Sequence, residues 1–476
     1  MNRLAHLAAA GTLLALQATS VWASDHADPI DNPLMFWKTT PLEGGITDLF
    51  VFPTRDKQQL VVVLSVRRSL TGKPAKLDQF EYVVHMDLKG TVSHDNAHFN
   101  ARYGGTVVKP EDIKETTKIT YRLKGDGEIR ELPTITGDTA PVRPGDIQAW
   151  GGEDPRQPRK VQTIKTGMDA NGMFERNEYS ADTAVDDTKV NIWTGISDDP
   201  FIFPNFFRTN VVAMVARIPM KYFPEGQMNW IVWATSSKNG KQIDHVGRSL
   251  RTQNPRFELL NTLHPKDHVA AIRAEQAKPS VMRDIFLRLG INQLFGYRSW
   301  DFVPDVMLFT RTPGIEFGEF EVKGPDGKFG IVVNKSDGLA SFPNGRFLTD
   351  DVGDRLARYG DTALKELSHL VPPCQDSSPP SKPECRSASW PRRTVNDKLF
   401  QGQQNPDELI FDARFPYLAE PWVAPEARLP APKLALRMST VMKIGLIVLG
   451  FILLWFVTAW LLALWIDRKR QRRRYL

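Results

Sequence analysis

The sequence predicts a mainly β protein: a large β-sandwich-like ectodomain with a few helices, followed by one C-terminal transmembrane helix. Six short runs are rich in β-branched and aromatic residues, and Gly, Asn, Asp and Pro separate them at short intervals, as in sandwich proteins. The chain shows no succession of βα units, which would favour a parallel sheet instead. The six predicted strands are 46–52, 60–66, 80–86, 118–123, 211–218 and 230–235.

Helices are expected at only two places in the ectodomain, at 280–289 and from Thr349 onward. Thr349 is a suitable N-cap, and Asp350 and Asp351 would lie in the first turn, where the helix dipole favours acidic residues. Apolar and aromatic residues then recur at helical spacing as far as Leu370.

The first 23 residues have the three parts of a secretory signal peptide. Met1-Asn2-Arg3 is a basic start, residues 4–16 form an apolar run, and Val21-Trp22-Ala23 is a cleavage pattern. The apolar run is well under the ~20 residues that a spanning helix needs. We therefore expect export, with cleavage after Ala23 and a mature chain that begins at Ser24.

Residues 444–466 carry no charge and are rich in Leu, Ile, Val, Phe and Trp. A segment of this length crosses the hydrocarbon core of a bilayer. Six basic residues follow within 467–474, and such a cluster marks the cytoplasmic side. The sequence thus predicts a single-pass protein of the bacterial inner membrane, with its ectodomain in the periplasm and residues 467–476 as a basic cytoplasmic tail.

The formal net charge of +6 comes from the C-terminal end of the chain, from Lys443 onward. Removing Arg3 (+1) and the segment 443–476 (+6) leaves −1 for residues 24–442. An ectodomain without excess positive charge argues against nucleic acid as a partner. The basic tail suits anionic lipid headgroups instead.

Between signal and anchor we predict a β-rich periplasmic domain, residues 24–415, and a Pro-rich stalk, residues 416–443. Cys374 and Cys385 are the two cysteines of the chain and flank a stretch rich in Pro and Ser. In an oxidising compartment we expect them to form a disulfide that clips an insertion at 372–393. Their number and spacing exclude a redox Cys-x-x-Cys motif and a cysteine zinc site.

Several phrases, taken together in this order, are specific to one family. They are SDHAD at 24–28, ITDLFVF at 46–52, SDDPF at 197–201, TNVVA at 209–213, FPNGRFLTDDV at 342–352 and FPYLA at 415–419. The chain resembles the bacterial family of unknown function numbered 4331 over most of residues 24–425. This resemblance implies an exported, β-rich protein and transfers no catalytic residue. The C-terminal anchor, the cysteine-flanked insertion and Phe50, where the family more often has Tyr, depart from the family's pattern.

The mature N-terminus contains candidate ligands for a divalent transition metal. The free amine of Ser24, two backbone amides and the imidazole of His26 can form a square-planar nitrogen set, which Cu(II) and Ni(II) prefer. Alternatively, His26, Asp28 and Asp48 gather as a mixed nitrogen and oxygen site for zinc or manganese. Asp48 can also simply cap or bridge the turn that enters its strand.

The densest polar cluster comprises Asn344, Arg346, Asp350 and Asp351. Arg346 could bind an anionic or sugar ligand there. In the alternative interpretation, Asn344-Gly345 forms a turn, Arg346 pairs with a carboxylate, and the two acids begin a helix.

These observations favour a binding module for a metal or small ligand. The alternative is a structural or assembly protein that recognises another envelope protein. An enzyme, such as a hydrolase, ranks last, because the chain lacks the G-x-S-x-G, P-loop, G-x-G-x-x-G and H-E-x-x-H motifs.

Overall fold

The computed structural model of the chain describes a set of separate ranges. They are residues 44–68, 76–125, 127–151, 185–198, 210–248, 255–278, 302–323, 329–348, 350, 415–418 and 449–459. The predicted signal peptide, the predicted helix at 280–289, the predicted helix from Thr349 apart from Asp350, the insertion at 372–393 and the basic tail lie outside these residues.

The described chain is mainly β, as predicted, and its strands fall into two large sheets and two small ones. In chain order the strands are β1 (Ile46–Pro53), β2 (Gln59–Arg68), β3 (Phe80–Asp87), β4 (Val92–Ser93), β5 (Thr106–Val107), β6 (Thr117–Leu123), β7 (Ile129–Gly137), β8 (Ile147–Gly151), β9 (Val190–Asp198), β10 (Asn210–Pro219), β11 (Asn229–Lys238), β12 (Lys241–Val246), β13 (Met307–Thr310), β14 (Glu316–Lys323) and β15 (Phe329–Lys335).

The first sheet has the strand order β1-β2-β10-β9-β8, antiparallel except for the parallel pair β8 and β9. The second sheet has the order β12-β11-β3-β6-β7. Strand β13 pairs with Asn229–Val232 of β11, whereas β12 pairs with the later residues of β11. Strands β12 and β13 therefore follow one another along the same edge of the second sheet.

All six strands predicted from composition are confirmed, because each predicted run lies within β1, β2, β3, β6, β10 or β11. Every residue of β1 and of β10 is buried, as expected for continuous apolar runs covered on both faces. In β6 buried and half-buried residues alternate, which is the period-2 pattern of a strand with one wet face.

One hydrophobic cluster contains side chains from both large sheets, so the two sheets enclose a shared core. Phe52 of β1 packs edge-on against Phe347 and Tyr417, with ring centroids 4.8 and 5.9 Å apart. Residues 415–418 belong to this core, since Phe415, Tyr417 and Leu418 are each 1% exposed. The core thus extends three residues into the segment predicted as a stalk.

Among the described residues of the ectodomain, two α-helices accompany the sheets. Helix α1 (Ala97–Tyr103) begins at Asn96, whose side chain accepts a hydrogen bond from the Phe99 N–H, and ends at Gly104 in the left-handed region. Helix α2 (Pro265–Ala277) follows a 3₁₀ helix at Pro255–Thr262.

Residues 449–459 are helical and lie within the predicted anchor at 444–466. Among the residues that the structure describes, no helix is both long and apolar enough to cross a membrane.

Candidate functional site

Asp48, the one described member of the predicted metal set, lies in β1 and is fully buried. Its Oδ1 accepts a hydrogen bond from Arg346 Nη1 at 3.2 Å, and Arg346 is also fully buried. The structure therefore joins one predicted metal ligand to one predicted ligand-binding residue. Ser24, His26 and Asp28 lie outside the described residues.

Arg346 is placed by its own backbone. Its N–H donates to Val51 O at 3.0 Å and its C=O accepts from Val51 N at 3.1 Å, so it extends the first sheet beyond the edge of β1. The guanidinium carbon lies 3.9 Å from the ring centroid of Phe50. The buried cation thus has a carboxylate and an aromatic face as neighbours, and both attract a positive charge.

Asn344 attaches the same loop to the second sheet. Its Oδ1 accepts from Thr310 N at 2.7 Å and its Nδ2 donates to Thr310 O at 3.0 Å, as a strand partner of β13 would. The next residue, Gly345, donates its N–H to Leu308 O at 2.7 Å. One short loop therefore bonds to β13 of the second sheet and to β1 of the first.

The Asp350 side chain bonds to the backbone of the same loop. Its Oδ2 accepts hydrogen bonds from the N–H groups of Phe342 and Phe347, both at 2.8 Å. We call residues 341–350 the bridging loop. Its described candidate residues, Asn344, Arg346 and Asp350, are at most 5% exposed and make contacts within the protein, while Asp351 lies outside the described residues. The geometry agrees with the sequence alternative in which Arg346 pairs with a carboxylate.

A second polar constellation, on the second sheet, was missed by the sequence analysis. His85 of β3 contacts Glu115 through Nδ1 and Thr235 of β11 through Nε2, the latter at 2.8 Å. The hydrogen-bond network assigns the proton to Nδ1, which donates to the carboxylate, so that Nε2 accepts from the Thr235 hydroxyl. This order of carboxylate, imidazole and hydroxyl is the order of a proton relay.

Burial lowers the pKa of His85, an effect that the hydrogen bond to Glu115 opposes. The same hydrogen bond, with help from Lys118 at 2.9 Å, lowers the pKa of Glu115 to about 2. At neutral pH the pair is therefore a neutral imidazole and an ionised carboxylate. Thr235 is only 5% exposed and lies within a strand. The hydroxyl is therefore covered, and its contact with Nε2 orients the ring of His85.

Three more histidines lie beside this one. Trp233 stacks on His85 with an interplanar angle of 8° and a centroid distance of 5.1 Å, and it packs edge-on against His264 at 5.5 Å. His245 of β12 is the register partner of Thr235. Its ring lies 4.9 Å from that of His268 in α2. We call His85, His245, His264 and His268 the histidine face.

The sequence signal for the histidine face is weak. Alternation along β3 places His85 on the face opposite Tyr82, Val84 and Met86. However, its partners Glu115 and Thr235 are 30 and 150 residues away in the chain. No local spacing connects them.

A metal site among the described residues has no support, because no group of three or more His, Cys, Asp or Glu side chains there is arranged to hold an ion. In comparisons with known proteins, no family model, no curated protein and no solved structure matches the chain. The resemblance to family 4331 accordingly stays a prediction from the quoted phrases.

The buried pair predicts a large cost for single substitutions. Asp48→Asn or Arg346→Met should each lower the free energy of unfolding by about 3–5 kcal/mol, because each removes the opposite charge from a fully buried ion. The double variant should cost less than the sum of the two. Chemical denaturation of the full chain measures this cycle.

A matched control is Lys89→Ala, which removes an ion pair with Asp138 whose side chains are 73% and 37% exposed. Its cost should be about 0–1 kcal/mol. If Arg346→Met cost no more than this surface control, the structural role assigned to the buried pair would be wrong.

The bridging loop also predicts that Gly345 does not tolerate a side chain. A Cβ there would lie 2.6 Å from Val51 O, at a φ of +64°. Gly345→Ala should cost about 1–3 kcal/mol by thermal or chemical denaturation. Gly314→Ala separates the two causes, since Gly314 has a φ of +81° but open space around it. Equal costs would mean that backbone strain alone explains the effect.

Proposed function

We propose that the chain is an exported, membrane-tethered protein whose β-rich domain acts in the periplasm as a binding module for a metal or small ligand. Export is supported by the signal pattern of residues 1–23, and tethering by the uncharged segment 444–466 with its basic flank. Within that segment, the large apolar side chains of residues 449–457 are 46–59% exposed. Such a surface is stable in lipid and costly in water.

The burial of the reactive groups favours a binding role over a catalytic role. Asn344, Arg346 and Asp350 hold the two sheets together, and the Thr235 hydroxyl of the relay is covered. Catalytic groups must reach the reacting atoms of a substrate. A scaffold whose polar groups are turned inward instead suits a binding protein that holds its ligand, or its recognition element, at the ends of the sheets or at the chain termini.

The metal part of the proposal rests on the mature N-terminus. Asp48 is committed to Arg346, so the proposed ligands are the Ser24 amine, the following backbone amides and the His26 imidazole, with Asp28 nearby in sequence. This nitrogen set favours Cu(II) or Ni(II) over Zn(II).

The proposed topology predicts opposite behaviour of two reporters. Alkaline phosphatase fused after residue 430 should be active and after residue 476 inactive, because that enzyme needs the oxidising periplasm. Green fluorescent protein fused after residue 476 should fluoresce. Removing residues 1–23 is the control and should abolish phosphatase activity at residue 430. Active phosphatase at residue 476 would contradict the topology.

The metal proposal predicts stoichiometric copper or nickel in the protein exported through its own signal. Elemental analysis should show loss of the metal in His26→Ala and retention in His98→Ala, an exposed histidine of α1. Intact mass should show a chain that begins at Ser24. A metal-free protein with that terminus would contradict the proposal and favour the alternative, an assembly protein that recognises an envelope partner.

A further inference from the structure

Residues 255–278, which we call the cover segment, pack against one face of the second sheet. The segment comprises the 3₁₀ helix Pro255–Thr262 and helix α2. Its own buried apolar side chains are Leu260 and Ile272, in a small cluster separate from the main core. Apolar burial therefore contributes much less to its attachment than to the cohesion of the two sheets.

The Gln242 side chain of β12 donates to Asn261 O at 2.8 Å and to Leu263 O at 3.3 Å, and imidazoles supply a further part of the attachment. His268 is fully buried. Its Nδ1 accepts from Asp305 N at 3.1 Å and its Nε2 donates to Leu263 O at 3.1 Å. Both ring nitrogens are in use, and this arrangement fits only the neutral ring, because a protonated Nδ1 would face the N–H of Asp305.

His245 lies on the sheet side of the same contact. Its Nε2 lies 2.8 Å from Asp305 O and is assigned as the donor, with Asp305 Oδ2 at 3.4 Å. Its Nδ1 is buried and has no hydrogen-bond partner within the described part of the chain.

His264 begins α2 by accepting a hydrogen bond from Lys266 N at 3.2 Å through Nδ1. This cap is also lost when Nδ1 carries a proton. The indole of Trp233 lies between His264 and His85. Two imidazoles thus contact one indole, and the rings of His245 and His268 lie with their centroids 4.9 Å apart.

We propose that the cover segment is an acid-released element, held on the second sheet while its own imidazoles, His264 and His268, are neutral and released when they are protonated. Release would uncover the sheet face that bears Trp233, which is 1% exposed in the closed state. The periplasm of the proposed topology follows the external pH, so an exported domain would experience the change directly.

The sign of the pH dependence follows from the closed geometry. Burial lowers the pKa of His85 and of His264 in the closed state. In the open state both return toward the ordinary histidine value of about 6.5. Groups with a lowered pKa stabilise the closed state above that value, and this contribution is lost as the pH falls below it.

Other charged groups face the histidine face from each neighbouring element. Glu115 favours the protonated form of His85, and Asp267 favours that of His264. Lys118 and Lys266 oppose protonation of the same two rings. Burial is the largest single effect on each pKa. Asp305, which contacts His245, and Arg248, which donates to Val306 O, complete the set on the β12 and β13 side.

Hydrogen exchange followed by mass spectrometry tests the proposal on the full chain in lipid nanodiscs at pH 7.5 and 5.5, corrected for intrinsic exchange rates. Amides of residues 255–278 should lose protection at pH 5.5 relative to pH 7.5, because protonation removes the stabilisation that the neutral imidazoles give to the closed state. Amides of β10 should keep theirs. Unchanged protection in 255–278, or an equal loss in β10, would overturn the proposal.

Two variants assign the effect to the histidine face. His264→Gln removes one titrating ring and should reduce the pH-dependent loss, whereas His98→Gln, the matched control in α1, should leave it unchanged. A loss of the same size in both variants would overturn the role of His264. Because His264 is half-buried, its replacement is less disruptive than that of fully buried His268. The hydrogen-exchange measurement on the unaltered chain tests release of the cover segment without any substitution.

Discussion

The architecture depends on a single buried cation. Arg346 pairs through its backbone with Val51, through its guanidinium with Asp48, and by its face with Phe50. Two residues earlier, Asn344 pairs with the end of β13 as a strand would. The edges of two different sheets are therefore connected by three consecutive residues. A charge in this position stabilises the protein only because both its neighbours are in place.

The two polar constellations differ in how they avoid the cost of burial. In the bridging loop an arginine and a carboxylate neutralise each other, and arginine keeps its proton at any physiological pH. In the cover segment, the hydrogen bonds that His264 and His268 accept through Nδ1 require neutral rings. The ion pair of the bridging loop is therefore insensitive to pH, whereas these two hydrogen bonds are not.

Sequence patterns predicted the parts of the structure that local physics determines. Runs such as 46–52 and 211–218 are apolar enough that only strands buried on both faces accommodate them. Helix α2 was not predicted, because its buried residues are Pro265, His268 and Ile272, and one apolar side chain of the three gives no recognisable stripe. For the bridging loop, the sequence indicated a turn at Asn344-Gly345 and a carboxylate partner for Arg346. It could not name Asp48, which is 298 residues away.

The same separation in sequence explains why function was harder to predict than fold. His85, Thr235 and Asp305 acquire chemical meaning only when three distant stretches of chain meet on one sheet. Each is unremarkable in its own context. The ion pair of Asp48 and Arg346 lies where the two sheets join. The neutral histidine rings lie under the cover segment, which has only a small apolar core of its own. A change of charge there acts on the cover segment before it acts on the sheets, because the energies that hold the two differ in size.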